Sequence, residues 1–512
     1  MPAHRFRLSR ATVQWAGLTV GPLLALIVYL LLPESFVNAS GDRVAFSVAG
    51  RATAAIGVWM AIWWLSEAIH VSATALLPIV LLPLAGATSI EEATLPYANP
   101  LIYLFMGGFL LSLSMQRWNL HRRIALLTLR AVGTEPRRMI GGFMVVTAVL
   151  SMWVSNTATA VMMLPIALSV IDLVLIQKTG QSLTATGELP AETGRNFALC
   201  LTLGIAYAAS IGGVGTIIGT PPNLFLASYI RETMGHDLSF VRWLSIGLPL
   251  VVVFLPLAWW LLTRVLYPVR IARIEGGRRL TREAYAELGP VSRGEWATFL
   301  IFMTAALAWI SRPLLTGIEI GGITPLAGLT DAGIAMLAGL ALFVVPVDVS
   351  SRQFVMDWNA ARELPWGILI LFGGGLSLAS AIEANGVGAF LGAQVAGFHG
   401  LPEVALVALV ATLVIFLTEL TSNTATTATL VPILAGLAPG LGVDPYLLIF
   451  PVALGASCAF MMPVATPPNA IVFGSGYVTI PQMVRAGIWL NLASIVLITA
   501  LMFLTILPLL GV

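Results

Sequence analysis

The sequence predicts an all-α polytopic membrane protein with about eleven transmembrane helices and two re-entrant hairpins. Hydrophobic residues make up 58% of the chain and charged residues only 10%, whereas soluble domains carry about 25% charged residues. Apolar runs of the roughly 20 residues that span a bilayer as a helix recur along the chain. The net charge of +2 gives no indication of a nucleic-acid partner. Lipid is therefore expected to surround much of the surface.

Eleven apolar runs have about the length of a transmembrane helix. The first follows a basic N-terminus, as a signal peptide would, but it lacks a clean cleavage site and many apolar segments follow it, so we interpret it as a spanning helix. The predicted spans are 16–33, 45–66, 71–88, 99–116, 197–218, 243–267, 296–311, 330–347, 365–382, 446–464 and 488–510.

Two further apolar stretches are interrupted at their centres by polar clusters. Residues 139–171 contain SNTATA at 155–160, and residues 403–440 contain SNTATT at 422–427. Non-helical backbone at membrane depth is tolerated only where protein or a watery cavity surrounds it. These stretches are therefore predicted to be re-entrant hairpins rather than simple spans.

Arginine-rich loops predict the orientation in a cell inner membrane, because Lys and Arg concentrate in short cytoplasmic loops. The basic N-terminus is placed in the cytoplasm, and threading the spans between the basic loops places the C-terminus outside. The cytoplasmic arginines are Arg117, Arg122, Arg123, Arg130, Arg137 and Arg138 before the first hairpin, and Arg264, Arg270, Arg273, Arg278, Arg279, Arg282 and Arg293 between the two halves.

The two halves of the chain share three features in the same order. LFMGGFLLSLS at 104–114 resembles LFGGGLSLASA at 371–381, and each SNT cluster begins 50 residues after the corresponding Phe105 or Phe372. GTPPN at 219–223 and ATPPN at 465–469 complete the series. This order indicates an internal duplication. Arginines precede the first hairpin but not the second, so the repeats are predicted to be inverted.

The SNT and TPPN motifs are expected to break helices within the membrane. A broken helix exposes N–H groups, which attract anions, and carbonyl groups, which attract cations. Ser, Asn and Thr add neutral oxygens that suit a hard monovalent cation such as sodium. Paired prolines remove backbone donors and free the carbonyls before them. Each motif also has a purely structural interpretation: the SNT clusters could be simple N-caps, and the TPPN motifs could be proline kinks. The occurrence of both motifs in both halves argues against it.

The charged residues near the motifs suggest how an anion would be held. The SNT and TPPN motifs contain no Lys, Arg or Asp, so a bound cation would supply the positive charge that an anion needs, and proton coupling is disfavoured. Glu419, three residues before Ser422, is expected to be a satisfied structural residue. A membrane-embedded enzyme is a poor alternative, because the five histidines are scattered. Cys200 and Cys458 are interpreted as buried thiols.

The doubled SNT and TPPN motifs resemble the divalent anion/sodium symporter family over nearly the whole chain. The resemblance implies a homodimer whose protomers each have a scaffold domain and a transport domain that moves like an elevator. It also implies two sodium sites and a substrate site. The implied sodium ligands are Ser151, Ser155, Asn156 and Gly219 in one site, and Thr418, Thr421, Asn423 and Ala465 in the other; the implied substrate contacts are Asn156, Thr157, Thr220, Asn423, Thr424, Thr466 and Pro467.

The chain divides accordingly into five parts. They are 1–98, N-terminal scaffold helices; 99–267, the first repeat with hairpin 139–171 and a broken helix around 219–223; 268–295, a basic cytoplasmic connection; 296–364, scaffold helices of the second half; and 365–512, the second repeat with hairpin 403–440 and a broken helix around 465–469.

The expected function is sodium-coupled symport of C4-dicarboxylates such as succinate, malate or fumarate, with Na⁺ as coupling ion and no organic cofactor. The alternatives are a sodium-coupled carrier of sulfate, another oxyanion or a tricarboxylate, and a dicarboxylate exchanger.

Overall fold

The computed structural model describes residues 10–37, 42–133, 135–179, 192–271, 277–320, 323–395 and 400–511. Arg273 and part of the predicted connection 268–295 therefore lie outside the described residues. The helices are α1 (Arg10–Leu31), α2 (Val48–Ser66), α3 (Val71–Thr74), α4 (Leu77–Leu84), α5 (Ile90–Thr94), α6 (Pro100–Arg117), α7 (Leu120–Val132), α8 (Pro136–Ser151), α9 (Asn156–Thr179), α10 (Glu192–Gly213), α11 (Pro221–Met234), α12 (Phe240–Trp260), α13 (Gly277–Glu287), α14 (Arg293–Leu315), α15 (Asp331–Val344), α16 (Trp358–Ala361), α17 (Trp366–Ala384), α18 (Val387–Val395), α19 (Glu403–Thr418), α20 (Asn423–Leu441), α21 (Tyr446–Ala456), α22 (Pro467–Gly474), α23 (Ile480–Leu501) and α24 (Leu507–Leu510).

The remaining regular structure is short. A 3₁₀ turn at Leu95–Ala98 leads into α6, and π-helical turns at Leu261–Leu266 and Met502–Ile506 extend α12 and α23. The described residues also form two short antiparallel strand pairs. One pairs β1 (Ser35–Val37) with β2 (Arg43–Ala45), and the other pairs β3 (Pro346–Asp348) with β4 (Gln353–Phe354). The predicted all-α polytopic class is confirmed.

The number of spans differs from the prediction. Within the described ranges, nine helical segments are long and apolar enough to cross a membrane, and eight of them coincide with predicted runs. The ninth, Asn423–Leu441, is the second arm of hairpin 403–440. Three predicted spans, 71–88, 330–347 and 446–464, form only shorter apolar helices. At 1.5 Å per residue, 14 residues reach about 21 Å, less than the hydrocarbon thickness of about 30 Å.

Helix α10 lies at the centre of the core, whereas the outer helices α1 and α14 expose apolar side chains on the surface. In the most apolar window of Gly194–Gly213, 94% of the residues are buried, against 17% for Ala11–Leu31 and 22% for Arg293–Leu315. A helix that is apolar and yet exposed is suited to lipid contact. Helix α10 packs between the arms of the first hairpin and also against α22, and α11 packs against α20. The broken helix of each half therefore contacts the other half.

A buried ion pair fixes α7 to the start of α14. The Arg123 guanidinium and the Glu295 carboxylate form two contacts, Nε–Oε1 at 2.6 Å and Nη2–Oε2 at 3.2 Å, and both side chains are 5% exposed. The guanidinium also donates to the carbonyl oxygens of Leu288, Gly289 and Pro290. Each charge is thus desolvated but satisfied.

Arg123→Met is expected to destabilise the protein by about 3–5 kcal/mol, because it leaves a buried carboxylate without its partner. The measurement is thermal unfolding of the purified protein in detergent. The double variant Arg123→Met/Glu295→Met removes both charges and is expected to recover most of the lost melting temperature. A single variant that melts with the wild type would contradict this assignment.

Candidate substrate and cation site

The first SNT cluster forms a gap between two helices. Helix α8 ends at Ser151 and α9 begins at Asn156. The Ser151 hydroxyl oxygen lies 2.5 Å from Asn156 Oδ1 and 2.7 Å from the carbonyl oxygen of Ala209 in α10. One hydroxyl carries a single proton, so it cannot donate to both oxygens at once. Three oxygens therefore meet around one proton, an arrangement that suits a small hard cation.

The second SNT cluster repeats this geometry. Helix α19 ends at Thr418 and α20 begins at Asn423. The Thr418 hydroxyl oxygen lies 2.7 Å from Asn423 Oδ1 and 3.2 Å from the carbonyl oxygen of Ala456 in α21. The same kind of oxygen cluster is thus built twice, with the hydroxyl and the amide at corresponding positions of the two halves.

The asparagine of each TPPN motif closes the break that precedes it. Asn223 Nδ2 donates to the carbonyl oxygens of Gly213 at 3.1 Å and Thr216 at 2.8 Å. Asn469 Nδ2 donates to the corresponding carbonyl oxygens in the second half, those of Ala459 at 3.1 Å and Met462 at 3.0 Å. Both asparagines are fully buried. Sequence reasoning missed them as site residues, although their recurrence in both motifs was the available signal.

The two tips differ at one position. Glu419, 4% exposed, accepts hydrogen bonds from the backbone N–H groups of Phe460 at 2.8 Å, Met461 at 2.9 Å and Met462 at 3.0 Å, and from Asn491 Nδ2 at 2.7 Å. The carboxylate is therefore satisfied at the hairpin tip, as predicted.

In the first half Met152 stands at the position of Glu419, and its backbone carbonyl accepts from the Thr216 hydroxyl at 2.5 Å. In the second half a carboxylate, that of Glu419, connects the hairpin tip to the helix break through hydrogen bonds. In the first half a neutral backbone carbonyl, that of Met152, makes the connection.

A cavity of about 1500 Å³ joins the four motifs. All seven predicted substrate contacts line it: Asn156, Thr157, Thr220, Asn423, Thr424, Thr466 and Pro467. The predicted sodium ligands Ser155, Asn156, Gly219, Thr421, Asn423 and Ala465 line it as well. Ser151 and Thr418 do not, because they lie behind Asn156 and Asn423 and bind to them. The structure thus brings every predicted site residue to this cavity or directly behind it.

Helix ends determine the electrostatics of the cavity. Four helices, α9, α11, α20 and α22, begin at residues that line it. Helix starts present N–H groups and partial positive charge, which favour an anion. The ends of α8, α10, α19 and α21 lie beside these starts and present carbonyl oxygens, which favour cations. The cavity can therefore hold an anion and cations next to each other.

Some of the predicted ligands also cap helices. The Ser155 hydroxyl accepts from the Ala158 N–H at 3.3 Å, and the Thr466 hydroxyl accepts from the Asn469 N–H at 3.3 Å. The Thr421 hydroxyl lies 2.9 Å from the Leu417 carbonyl oxygen. The N-cap interpretation of these motifs is thus realised as well. A hydroxyl oxygen that accepts one hydrogen bond keeps a second lone pair for a ligand.

Gly213 leaves room for the side chain of Asn156, and alanine there is expected to disturb the first oxygen cluster. A Cβ atom at position 213 would lie 2.6 Å from Asn156 Oδ1. Because the sequence predicts sodium in this cluster, we expect Gly213→Ala to weaken sodium-dependent uptake by about tenfold or more, which is the loss that follows when groups supporting a metal ligand are displaced. Gly474→Ala is the control, because a Cβ atom there meets nothing within 4 Å. Equal uptake by the two variants would contradict the crowding argument.

The tips of two hairpins meet two broken helices at one cavity, and the chain has several helices long and apolar enough to span a membrane. This combination defines a polytopic membrane transporter. Comparison with known proteins agrees with this class. The family model for the transmembrane region of sodium:sulfate symporters matches residues 19–510. The chain belongs to the divalent anion/sodium symporter family. Membership confirms the prediction that the protein is a transporter rather than an enzyme.

Curated relatives match over nearly their full length. The sodium-dependent dicarboxylate transporter SdcS of Staphylococcus saprophyticus is 40% identical over 500 residues, covering 98% of this chain and 92% of that protein. SdcS of Staphylococcus aureus strain MRSA252 is 40% identical over 495 residues, covering 96% and 91%. The fold is also similar to that of the Alcanivorax borkumensis YdaH transporter, with a TM-score of 0.54 and 14% identity over 97% of this chain and 98% of that one. At that identity the likeness concerns the fold alone.

Proposed function

We propose that the protein is a secondary active transporter that couples the movement of C4-dicarboxylates such as succinate, malate or fumarate to sodium. One observation carries the proposal: both oxygen clusters and four helix starts adjoin the same cavity. Cations in the clusters would supply the positive charge that a dicarboxylate needs. The names of the SdcS relatives support the same substrate class and coupling ion.

The two sodium ions would occupy the clusters around Asn156 and Asn423. Ser151, Ser155 and the Gly219 backbone would complete the first site, and Thr418, Thr421 and the Ala465 backbone would complete the second. The substrate carboxylates would then be held by the amides and hydroxyls of the remaining cavity residues: Asn156, Thr157, Thr220, Asn423, Thr424, Thr466 and Pro467. Sodium would bind first, because it completes the anion site.

The loaded site would cross the membrane by an elevator movement of the transport domain within a homodimer. The cavity extends to Val13 at the start of α1 and to Glu363 just before α17. It also reaches Leu65 and Gln116, which lie at the C-terminal ends of α2 and α6. In the proposed orientation, with the N-terminus in the cytoplasm, all four lie on the cytoplasmic side. The described conformation would therefore be the one that releases substrate inward.

The experiment is uptake of labelled succinate into proteoliposomes with and without an inward sodium gradient. We expect succinate to accumulate above background only with the gradient, and a sodium ionophore that collapses the gradient should abolish the accumulation. Equal accumulation with potassium in place of sodium would reject sodium coupling. Uptake that needs a dicarboxylate inside the vesicle, rather than a sodium gradient, would identify an exchanger.

Sulfate is the second candidate substrate, because the matching family model is that of sodium:sulfate symporters. The same vesicles distinguish the two by competition. A C4-dicarboxylate carrier should be inhibited by unlabelled succinate and unaffected by an equal concentration of sulfate or citrate. Uptake of labelled sulfate that unlabelled succinate does not inhibit would assign the cavity to the inorganic anion, and uptake of labelled citrate that succinate does not inhibit would assign it to a tricarboxylate.

A further inference from the structure

A second cavity lies apart from the cavity that joins the SNT and TPPN motifs, and the two share no lining residues. Its volume is about 510 Å³. It lies where the start of α10, the π-helical end of α12 and the start of α23 meet, and its polar lining includes Arg195, Tyr267, Gln482 and Arg485. The proposed transport cycle gives these residues no role.

Hydrogen bonds tie the three walls of this cavity together. Asn196 Nδ2 donates to the Pro268 carbonyl oxygen at 3.3 Å, and the Tyr267 hydroxyl donates to the Gln482 carbonyl oxygen at 2.7 Å. The Arg485 guanidinium lies 6.0 Å from the centre of the Tyr267 ring, within the range of a cation–π contact. The cavity is thus a built part of the fold rather than a gap between loose segments.

The two arginines give the cavity its charge. Arg195 is half-buried and Arg485 is exposed. Among the described side chains, neither forms an ion pair with a carboxylate. A guanidinium presents several N–H donors in a planar fork that matches the oxygens of a phosphate group. Two such forks in one concave site are suited to a phosphate.

The apolar surface beside the cavity indicates what carries the phosphate. Along α23, Arg485 is followed by Trp489, Leu492 and Val496, which lie on the same helix face and are 53%, 44% and 66% exposed. Val265, in the opposite wall, is 48% exposed. The cavity therefore lies at the end of a stripe suited to acyl chains, and the tryptophan stands where a lipid headgroup would meet its tails.

We propose that this cavity binds the headgroup of an anionic phospholipid, with its phosphate between Arg195 and Arg485 and its acyl chains along α23. Basic pockets between transmembrane helices on the cytoplasmic side are suited to such headgroups, and the predicted topology places all three walls on that side. A bound lipid would connect α10, which leads into the first helix break, to α23.

The test measures lipid binding to the purified full-length protein in detergent. Native mass spectrometry counts bound phosphatidylglycerol against phosphatidylcholine, and thermal unfolding is followed with each lipid and with inorganic phosphate. The variants are Arg195→Gln/Arg485→Gln, the exposed single change Arg485→Gln, and Arg293→Gln as the control at another exposed arginine.

The wild type and the control should bind phosphatidylglycerol in preference to phosphatidylcholine and melt at a higher temperature with it. The double variant should lose about thirtyfold in affinity for phosphatidylglycerol, since each of the two basic residues contributes about fivefold to the attraction of anionic lipid. The single variant should lose part of it, which keeps the test decisive if the double variant fails to fold. Unchanged preference in the single variant would overturn the proposal. Equal stabilisation by inorganic phosphate would assign the site to a free anion and overturn the lipid assignment.

Discussion

Asn156→Ala and Asn423→Ala are each expected to abolish sodium-dependent uptake. Each change removes the amide oxygen that meets a hydroxyl and a carbonyl oxygen in its cluster. It also removes an amide from the start of a helix that faces the cavity. Since changes even behind a metal ligand cost about 10- to 100-fold in metal affinity, loss of the proposed ligand itself should cost at least that much.

The measurement is initial uptake of labelled succinate over a range of sodium concentrations. Any residual uptake should require far more sodium than the wild type does. Asn359→Ala is the matched control, because Asn359 is exposed and lies outside the cavity. Normal uptake by both cavity variants, with an unchanged sodium requirement, would remove these asparagines from the site.

Glu419→Ala is expected to unfold the second break and to stop transport with it. The carboxylate is buried and accepts from three successive backbone N–H groups and from Asn491. Removing it leaves four donors without their acceptor, of which those of Phe460 and Asn491 are buried and those of Met461 and Met462 are half-buried. Each buried unpaired group costs about 1–3 kcal/mol. The change should therefore lower the melting temperature as well as uptake.

Two comparisons separate this role from a general effect of removing a carboxylate. Glu403→Ala, at an exposed position at the start of the same helix, should melt and transport like the wild type. Glu419→Gln keeps the shape and one acceptor oxygen, so it should fall between the wild type and Glu419→Ala. If Glu419→Ala is as stable and as active as Glu403→Ala, the hydrogen bonds of Glu419 contribute neither to stability nor to transport.

The sequence was sufficient to predict which residues gather at the cavity, because the motifs that contain them occur twice. One SNT motif is compatible with an ordinary helix cap, and Ser155 does cap α9. The second copy at the same distance from a matching apolar segment indicated a shared site, and both copies line one cavity. The fold class followed from composition, because a chain with so few charges cannot cover itself in water.

The number of spans was less predictable, because hydropathy measures apolar length and not helix continuity. Residues 446–464 are apolar throughout, yet α21 ends at Ala456. The chain beyond it is held in an irregular path by Glu419 and Asn469, which bind its backbone from other elements. Such long-range hydrogen bonds leave no periodic trace in the sequence. The difference between Glu419 and Met152 became interpretable only once their backbone partners were known.

Equilibrium binding tests directly whether cations complete the anion site, without the complication of movement. Succinate binding to the purified protein is measured by calorimetry in sodium chloride and in choline chloride of equal ionic strength. If cations complete the site, succinate should bind in sodium chloride and not detectably in choline chloride. By linkage, succinate should then raise the affinity for sodium by the same factor. Equal succinate affinity in the two salts would contradict this expectation.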